Sequence, residues 1–427
     1  MTFPTRIFRA PVGVIVLLVC ALPLLSGCDE GSLNAPEIQQ STQADGLFNS
    51  YVALGNSITA GFQAAGINST TQSASFAAIL ADSMNTPFGI PGLSPPGCPP
   101  PIQSFPPSPP STRCAFREAT ASKINNVAVP GAALDDVLRN ADPNDPVTPP
   151  NPRPNQLTQF ILGGRTQIDA ALDVSPTFAT VWAGNNDVLG PANAGDPALA
   201  TSRSRFADQY KKITDQLTNN APLEGAVLIG VADLDKVPGI FPGQVYLGVY
   251  QNDPGQFPSN FSVSANCAPN SMGGQGSTSE ISFLTFLDFL NKATQNPGTS
   301  YVIGCANNPS SPTGTEITDP LTQAELTTLS NRAGDYNAEI KSIADGNGKF
   351  IFLNPNDAFD KLSSDIPSTP DFTSQQPFGR FFSLDGIHPS SLTHRVVAAL
   401  LTQRINAAYG TNLNPPSLPS DVASALN

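Results

Sequence analysis

The sequence predicts an α/β protein in three layers, a five-stranded parallel sheet with helices on both faces. Short apolar strand-like runs alternate with amphipathic helical runs five times along the chain. Its 427 residues suffice for one large core or two modest ones, and no internal repeat divides them.

Residues 1–27 stand apart from that core. Arg6 and Arg9 precede a mostly apolar run, Val12 to Leu25, too short for a comfortable membrane span, and Leu24-Leu25-Ser26-Gly27-Cys28 closes it. This resembles a bacterial lipoprotein signal. The resemblance implies that residues 1–27 are removed and that lipid on Cys28 anchors the body to a membrane of the cell envelope, outside the cytoplasm. Removal takes two arginines and no acids, leaving 19 basic residues (21 less two) against 34 acidic, a formal charge of −15. Nucleic acid and anionic lipid surfaces are poor partners for such a chain. Residues 28–46 have linker composition, with a reach of about 25 Å if flexible, so the folded domain is expected over 47–410, with 411–427 as a C-terminal tail.

Tyr51 to Phe62, YVALGNSITAGF, reads as a strand that breaks on Gly55-Asn56-Ser57 and turns into a helix N-terminus. Phe76, Ile79, Leu80 and Met84 then predict a helix over 73–85. Residues 87–114 are too proline-rich for helix or central strand and form a surface excursion. Lys123 to Val129 is the second strand, stopped by Pro130-Gly131, with a helix over Ala132 to Arg139 behind it. The acids of the Asp142 to Pro154 loop lack the regular spacing of a calcium loop and read as solvated.

Phe178 to Val181 is the third strand and runs into Gly184-Asn185-Asn186-Asp187; Phe206, Tyr210, Ile213 and Leu217 mark the long helix that follows. Gly225 to Val231 is the fourth and most apolar strand. Residues 238–315 form a Gly, Pro, Ser and Asn-rich insertion with an aromatic helix at Ile281 to Leu290, whose Phe283, Phe286 and Phe289 either line an acyl pocket or pack on the body. Thr322 and Glu325 form a capping box before the most regular helix. Phe350 to Leu353 is the fifth strand, and Ser390 caps a last helix that Gly410 ends.

Cys98, Cys114, Cys267 and Cys305 lack metal-ligand spacing and fit an oxidising compartment. Three pairings are possible; Cys98 with Cys114 and Cys267 with Cys305 are favoured because each closes one irregular excursion.

Strand ends on the carboxyl side are where open parallel sheets place their active groups. Ser57 is the candidate nucleophile there. A nucleophilic serine needs a base, and the chain has two histidines. His394 lies inside the last helix and reads as a surface or packing residue. His388 precedes that helix, and Asp385, three residues earlier, is placed to fix its tautomer. Oxyanion donors are available from the Ser57 and Gly131 N–H groups and the Asn186 side chain. Each also has a plainer reading, as a turn glycine or an Asx turn.

Taken together, Gly55-Asn56-Ser57-Ile58-Thr59-Ala60-Gly61, Asn126 to Gly131, Gly184-Asn185-Asn186-Asp187 and Asp385-Gly386-Ile387-His388-Pro389 resemble, in order, the four blocks of the SGNH hydrolases, also called GDSL esterases and lipases. The resemblance implies a flavodoxin-like three-layer fold, Ser57 as nucleophile, His388 as base, Asp385 as its orienter, an oxyanion hole of Ser57, Gly131 and Asn186, and no metal or cofactor. It also implies a carboxylic ester as substrate, be it an acyl lipid, an aryl ester or an O-acylated glycan. The one departure is Asn56, where the family usually has Asp. No G-x-S-x-G occurs, which excludes the α/β-hydrolase elbow. Two alternatives remain at this stage, a carbohydrate O-acetyl esterase with the same site and a binding lipoprotein that has lost turnover.

Overall fold

The computed structural model describes residues 46–104, 123–139, 155–306, 316–317 and 320–426. The expected signal, the tether, Cys28, Cys114 and the 142–154 loop fall outside the described residues. Four parallel strands build the main sheet in the order β1 (Tyr51–Gly55), β2 (Phe178–Trp182), β3 (Gly225–Ile229) and β4 (Phe350–Leu353). They pair in register, Tyr51 beside Phe178 and Phe178 beside Gly225, so all four carboxyl ends lie along one edge.

The remaining tract, expected as the second strand over 123–129, docks on the free edge of β1. It does so through one parallel bridge, Ala53 to Asn126, and through hydrogen bonds from Ala53 N–H to Asn125 C=O (2.9 Å) and from Val127 N–H to Ala53 C=O (3.0 Å). Its regularity is lost to asparagine. Asn125 donates its amide to Tyr51 C=O (2.7 Å) and Asn126 donates to Thr59 C=O (2.8 Å), so side chains take over backbone acceptors that would otherwise serve regular structure. The spatial order, with this tract outside β1, is that of the flavodoxin-like sheet.

Alternation along the strands divides the core into two layers. On one face Val52, Leu54, Val181 and Leu228 pack with Phe206, Tyr210, Ile213 and Leu217 of the helix Arg203–Asn220 and with Leu329, Tyr336 and Ile340 of the helix Gln323–Asp345. On the other, Tyr51, Phe178, Trp182 and Ile229 meet Phe76 and Leu80 of the helix Phe76–Ser83 and Val397, Leu401 and Ile405 of the helix Ser391–Tyr409. Each large side chain buried in this way contributes roughly 1.5–3 kcal/mol.

Helix ends follow the capping residues. Thr322 and Glu325 form the expected capping box, and Ser390 accepts from the Thr393 N–H. The helix expected over 73–85 starts later, as Phe76–Ser83, because Ser75 is extended and caps it, and a separate short helix, Ser69–Ser73, precedes it. The expected 132–139 helix shortens to Leu134–Leu138.

The insertion is built rather than loose. Ile240–Pro242, Ser279–Ser282 and Leu321–Thr322 form a small antiparallel sheet, and Cys267 is bonded to Cys305. Cys98 is also disulfide-bonded. The aromatic helix begins at Phe283 because Ile281 and Ser282 belong to the preceding strand. Phe283 and Phe286 are buried, stacked on each other and packed against Tyr246, Phe261 and Phe378. Residues beyond Gly410, expected as a tail, include a helix, Ser420–Leu426, which packs on the helix Asn356–Leu362 and buries Val422. Among the described residues no helix is long and apolar enough to cross a membrane.

Candidate active site

Ser57 opens a single helical turn, Ser57–Ala60, directly after β1. The approach demands glycine. Gly55 has φ +156°, and a Cβ there would lie 2.4 Å from the Trp182 carbonyl oxygen on β2 and 2.5 Å from Thr59 Oγ1. Asn56 is fully buried and its Oδ1 accepts from the Ile58 N–H at 3.1 Å. That capping role needs one oxygen, which asparagine supplies as well as aspartate does. Its Nδ2 is buried with no hydrogen-bond partner among the described residues.

The loop leaving Ser57 is stitched to the loop carrying His388. Phe62 N–H donates to Ser57 C=O (2.9 Å), and the Phe62 ring packs on the His388 ring with centroids 4.7 Å apart. Ala64 and Ala65 follow at φ +52° and +53°, a region that costs a non-glycine residue about 1–3 kcal/mol. That strain aims two N–H groups at the second loop. Ala64 donates to Ser383 Oγ (2.8 Å) and Ala65 to Asp385 Oδ2 (2.6 Å).

Asp385 is wholly buried and is the hub. Its Oδ1 accepts from the Ile387 and His388 N–H groups (2.9 and 2.8 Å) and from Ser383 Oγ (3.1 Å); its Oδ2 meets His388 Nδ1 at 2.8 Å. Burial pushes this carboxyl upward, but His388 beside it and the donated hydrogen bonds outweigh burial and hold it below the usual carboxylate range. An ionised carboxylate only accepts, so the Nδ1 of His388 carries the proton and Nε2 presents a lone pair. His394, by contrast, is buried packing: its Nδ1 accepts from the Phe76 N–H at 3.1 Å, and burial pushes it down to about 3.

The remaining two blocks meet each other. Gly131 sits at φ +76° in the turn after the edge tract, and its N–H makes no hydrogen bond among the described residues. Asn186 opens the helix Asn186–Ala194 after β2 and donates one amide hydrogen to the Ala132 carbonyl at 2.9 Å, leaving the other. The adjacent Asp187 accepts from the Leu134 N–H (2.8 Å) and from Thr201 Oγ1 (2.6 Å), and burial pushes its carboxyl up to about 6. Asn186 and Asp187 thereby hold the chain just after Gly131, and the Asn155 amide, donating to the Pro130 carbonyl at 2.8 Å, holds it just before.

Sequence reading missed Gln167. Fully buried on the short helix Gln167–Leu172, it bonds both the N–H and the C=O of Gly55 at 2.9 Å. No local signal marks it, since the contact spans 112 residues of chain.

A family model described as GDSL-like Lipase/Acylhydrolase matches residues 51–401. No curated protein is significantly similar to the chain. Among solved structures, a mutant of an acetyl-xylooligosaccharide esterase from Geobacillus stearothermophilus aligns at 10% identity and TM-score 0.36, covering 85% of this chain and 95% of its own. An α/β hydrolase from the metagenome of Lake Arreo aligns at 10% identity and TM-score 0.35, with 85% and 95% covered. An extracellular lipase from Streptomyces rimosus aligns at 13% and 0.33, with 81% and 94% covered.

Proposed function

Because this chain belongs to the GDSL-like lipase/acylhydrolase family and is a carboxylic ester hydrolase, we propose that it works through an acyl-enzyme on Ser57. His388 Nε2 takes the Ser57 proton as Oγ attacks the ester carbonyl, and the Ser57 and Gly131 N–H groups with the free Asn186 amide hydrogen hold the oxyanion. As the tetrahedral adduct collapses, the C–O bond to the alcohol breaks and the alkoxide leaves with the proton from His388. Water, deprotonated by the same imidazole, then attacks the acyl-enzyme and releases the acid. The observation that supports this reading best is the Asp385 to His388 pair at 2.8 Å, which fixes the tautomer a base needs.

The substrate we favour is a short acyl ester. An apolar cavity of about 50 Å³ lies behind the site, walled by Ile58, Trp182, Leu353, Phe359, Ile387 and Val397; Ser57, Gly131, Asn186 and His388 do not line it, so it does not set the acyl length. The second reading is an O-acetyl ester of a glycan. The aromatic helix of the insertion does not favour an acyl pocket, since Phe283 and Phe286 are taken up in packing. Asn56 gives little support to a protein without turnover, because the capping oxygen is retained. Lipid attachment at Cys28, anchoring the body to a membrane of the cell envelope outside the cytoplasm, completes the proposal.

The test is hydrolysis of p-nitrophenyl esters from acetate to palmitate beside acetate release from acetylated glycans. Turnover falling steeply beyond butyrate is expected; a maximum at octanoate or longer would sink the short-acyl reading.

A further inference from the structure

We infer that Gln167 is a positioning residue for the nucleophile, a clamp on Gly55, the residue from which the chain turns to deliver Ser57. The inference rests on the reading of Ser57 given above. A primary amide can satisfy the N–H and the C=O of one residue at once only with its oxygen on the N–H and its nitrogen on the carbonyl, and Gln167 does so at 2.9 Å on both sides of Gly55. Gly55 is the last residue of β1, so its ladder bonds to β2 end there. Two residues later comes the Ser57 N–H.

Val129 N–H reaches the Gly55 carbonyl from the edge tract at 3.2 Å, while Gln167 holds both polar groups of that residue. Gly55 at φ +156° belongs to a region that glycine enters freely, so the residue itself imposes no direction on the chain that follows. Asn56 fastens the turn only forward, to the Ile58 N–H. Gln167 fastens it backward, from a helix whose Thr166 cap accepts from the Asp169 N–H at 3.0 Å and which packs on β1 and on the helices Leu134–Leu138 and Arg203–Asn220. Rotating the Gly55 peptide would swing both the Ser57 Oγ and the Ser57 N–H away from the carbonyl they serve. Displacements of this order at a reacting centre reduce turnover rather than ground-state binding.

The test compares the mature chain with its Gln167→Leu, Gln167→Glu and Ser57→Ala variants, measuring kcat and KM on p-nitrophenyl butyrate from pH 5.5 to 9, with folding followed by circular dichroism. Gln167→Leu should lower kcat at least tenfold with KM within twofold. Gln167→Glu supplies a readout that a merely structural role would not move. A protonated glutamic acid offers one O–H donor and one C=O acceptor, the same pair as the amide, whereas the carboxylate repels the Gly55 carbonyl; burial raises the acid's pKa into the measured range. Its kcat relative to wild type should therefore approach one at the acid end and fall about tenfold toward pH 9. The ionisable groups on its own helix and on the elements packed around it are Asp169, Tyr51 on β1, Asp135 and Asp136 on the 134–138 helix, and Tyr210 and the charged residues from Arg203 to Asp215. They are common to both proteins and cancel in the ratio. A folded Gln167→Leu variant with kcat within twofold of wild type, or a Gln167→Glu ratio that does not change with pH, overturns the clamp. Turnover surviving in Ser57→Ala instead removes the reading of the site on which it stands.

Discussion

Replacing Asp385 by Asn separates geometry from charge at the hub of the site. The wild-type carboxylate receives five contacts, three on Oδ1 and two on Oδ2, every one from a donor or from the His388 ring. Asparagine brings a single acceptor oxygen. If that oxygen keeps the Ile387 and His388 N–H groups, the new amide nitrogen faces the Ala65 N–H and His388 Nδ1. Two donors then oppose each other at Ala65, which costs about 1–3 kcal/mol of stability on top of the strain already held at φ +53°. At His388 the ring relieves the clash by moving its proton to Nε2, and the lone pair that would deprotonate Ser57 is gone. Serine hydrolases that lose the tautomer in this way lose about 10⁴ in kcat, equivalent to about 5.5 kcal/mol of barrier. The assay is kcat on p-nitrophenyl butyrate at pH 8, with circular dichroism to establish folding. A folded Asp385→Asn enzyme within tenfold of wild type would refute the argument that His388 acts through its Asp385 partner.

Other perturbations have defined outcomes. His394 is neutral in the fold at about 3, well below the unfolded value, so it does not affect stability above pH 6.5 and costs stability as pH falls toward 3, by up to about 5 kcal/mol. His394→Gln, which keeps an acceptor for the Phe76 N–H, should therefore flatten the acid side of a urea-unfolding pH profile while leaving kcat unchanged. Asp187 shows the reverse sign: with its folded value raised to about 6, stability falls as pH rises from about 4 to 6, by roughly 3 kcal/mol, and Asp187→Asn should remove that slope. Breaking the Cys267 to Cys305 bond by a double alanine substitution opens a loop of 38 residues and should cost about 4 kcal/mol of unfolding free energy. Unchanged denaturation midpoints in the double variant would contradict this.

The parts of the site that were legible in the sequence are those whose geometry is local. Asp385 and His388 lie three residues apart in one loop, and a carboxylate at that distance reaches its own ring whatever the rest of the chain does. Strand alternation and capping residues likewise act within a few positions, so the parallel sheet, the Thr322 box and the Ser390 cap were readable. What was hidden depends on pairing across the fold. Gln167 looks like any polar helix residue until β1 is laid beside it. The tract over 123–129 has a strand's composition, but Asn125 and Asn126 divert their amides to Tyr51 and Thr59, a choice decided by tertiary neighbours. Phe283 and Phe286 have the spacing of an acyl-pocket wall or of a packed core alike; Tyr246, Phe261 and Phe378 on other elements decide for the core.

The most direct test of the account is to locate the reactive residue. The mature protein is treated with a fluorophosphonate, digested, and the adduct mapped by mass spectrometry beside the Ser57→Ala variant. The account predicts a single phosphonyl group on the peptide containing Ser57, abolished in the variant. An adduct on another residue, or a folded wild-type protein that hydrolyses esters yet leaves Ser57 unlabelled, would contradict it.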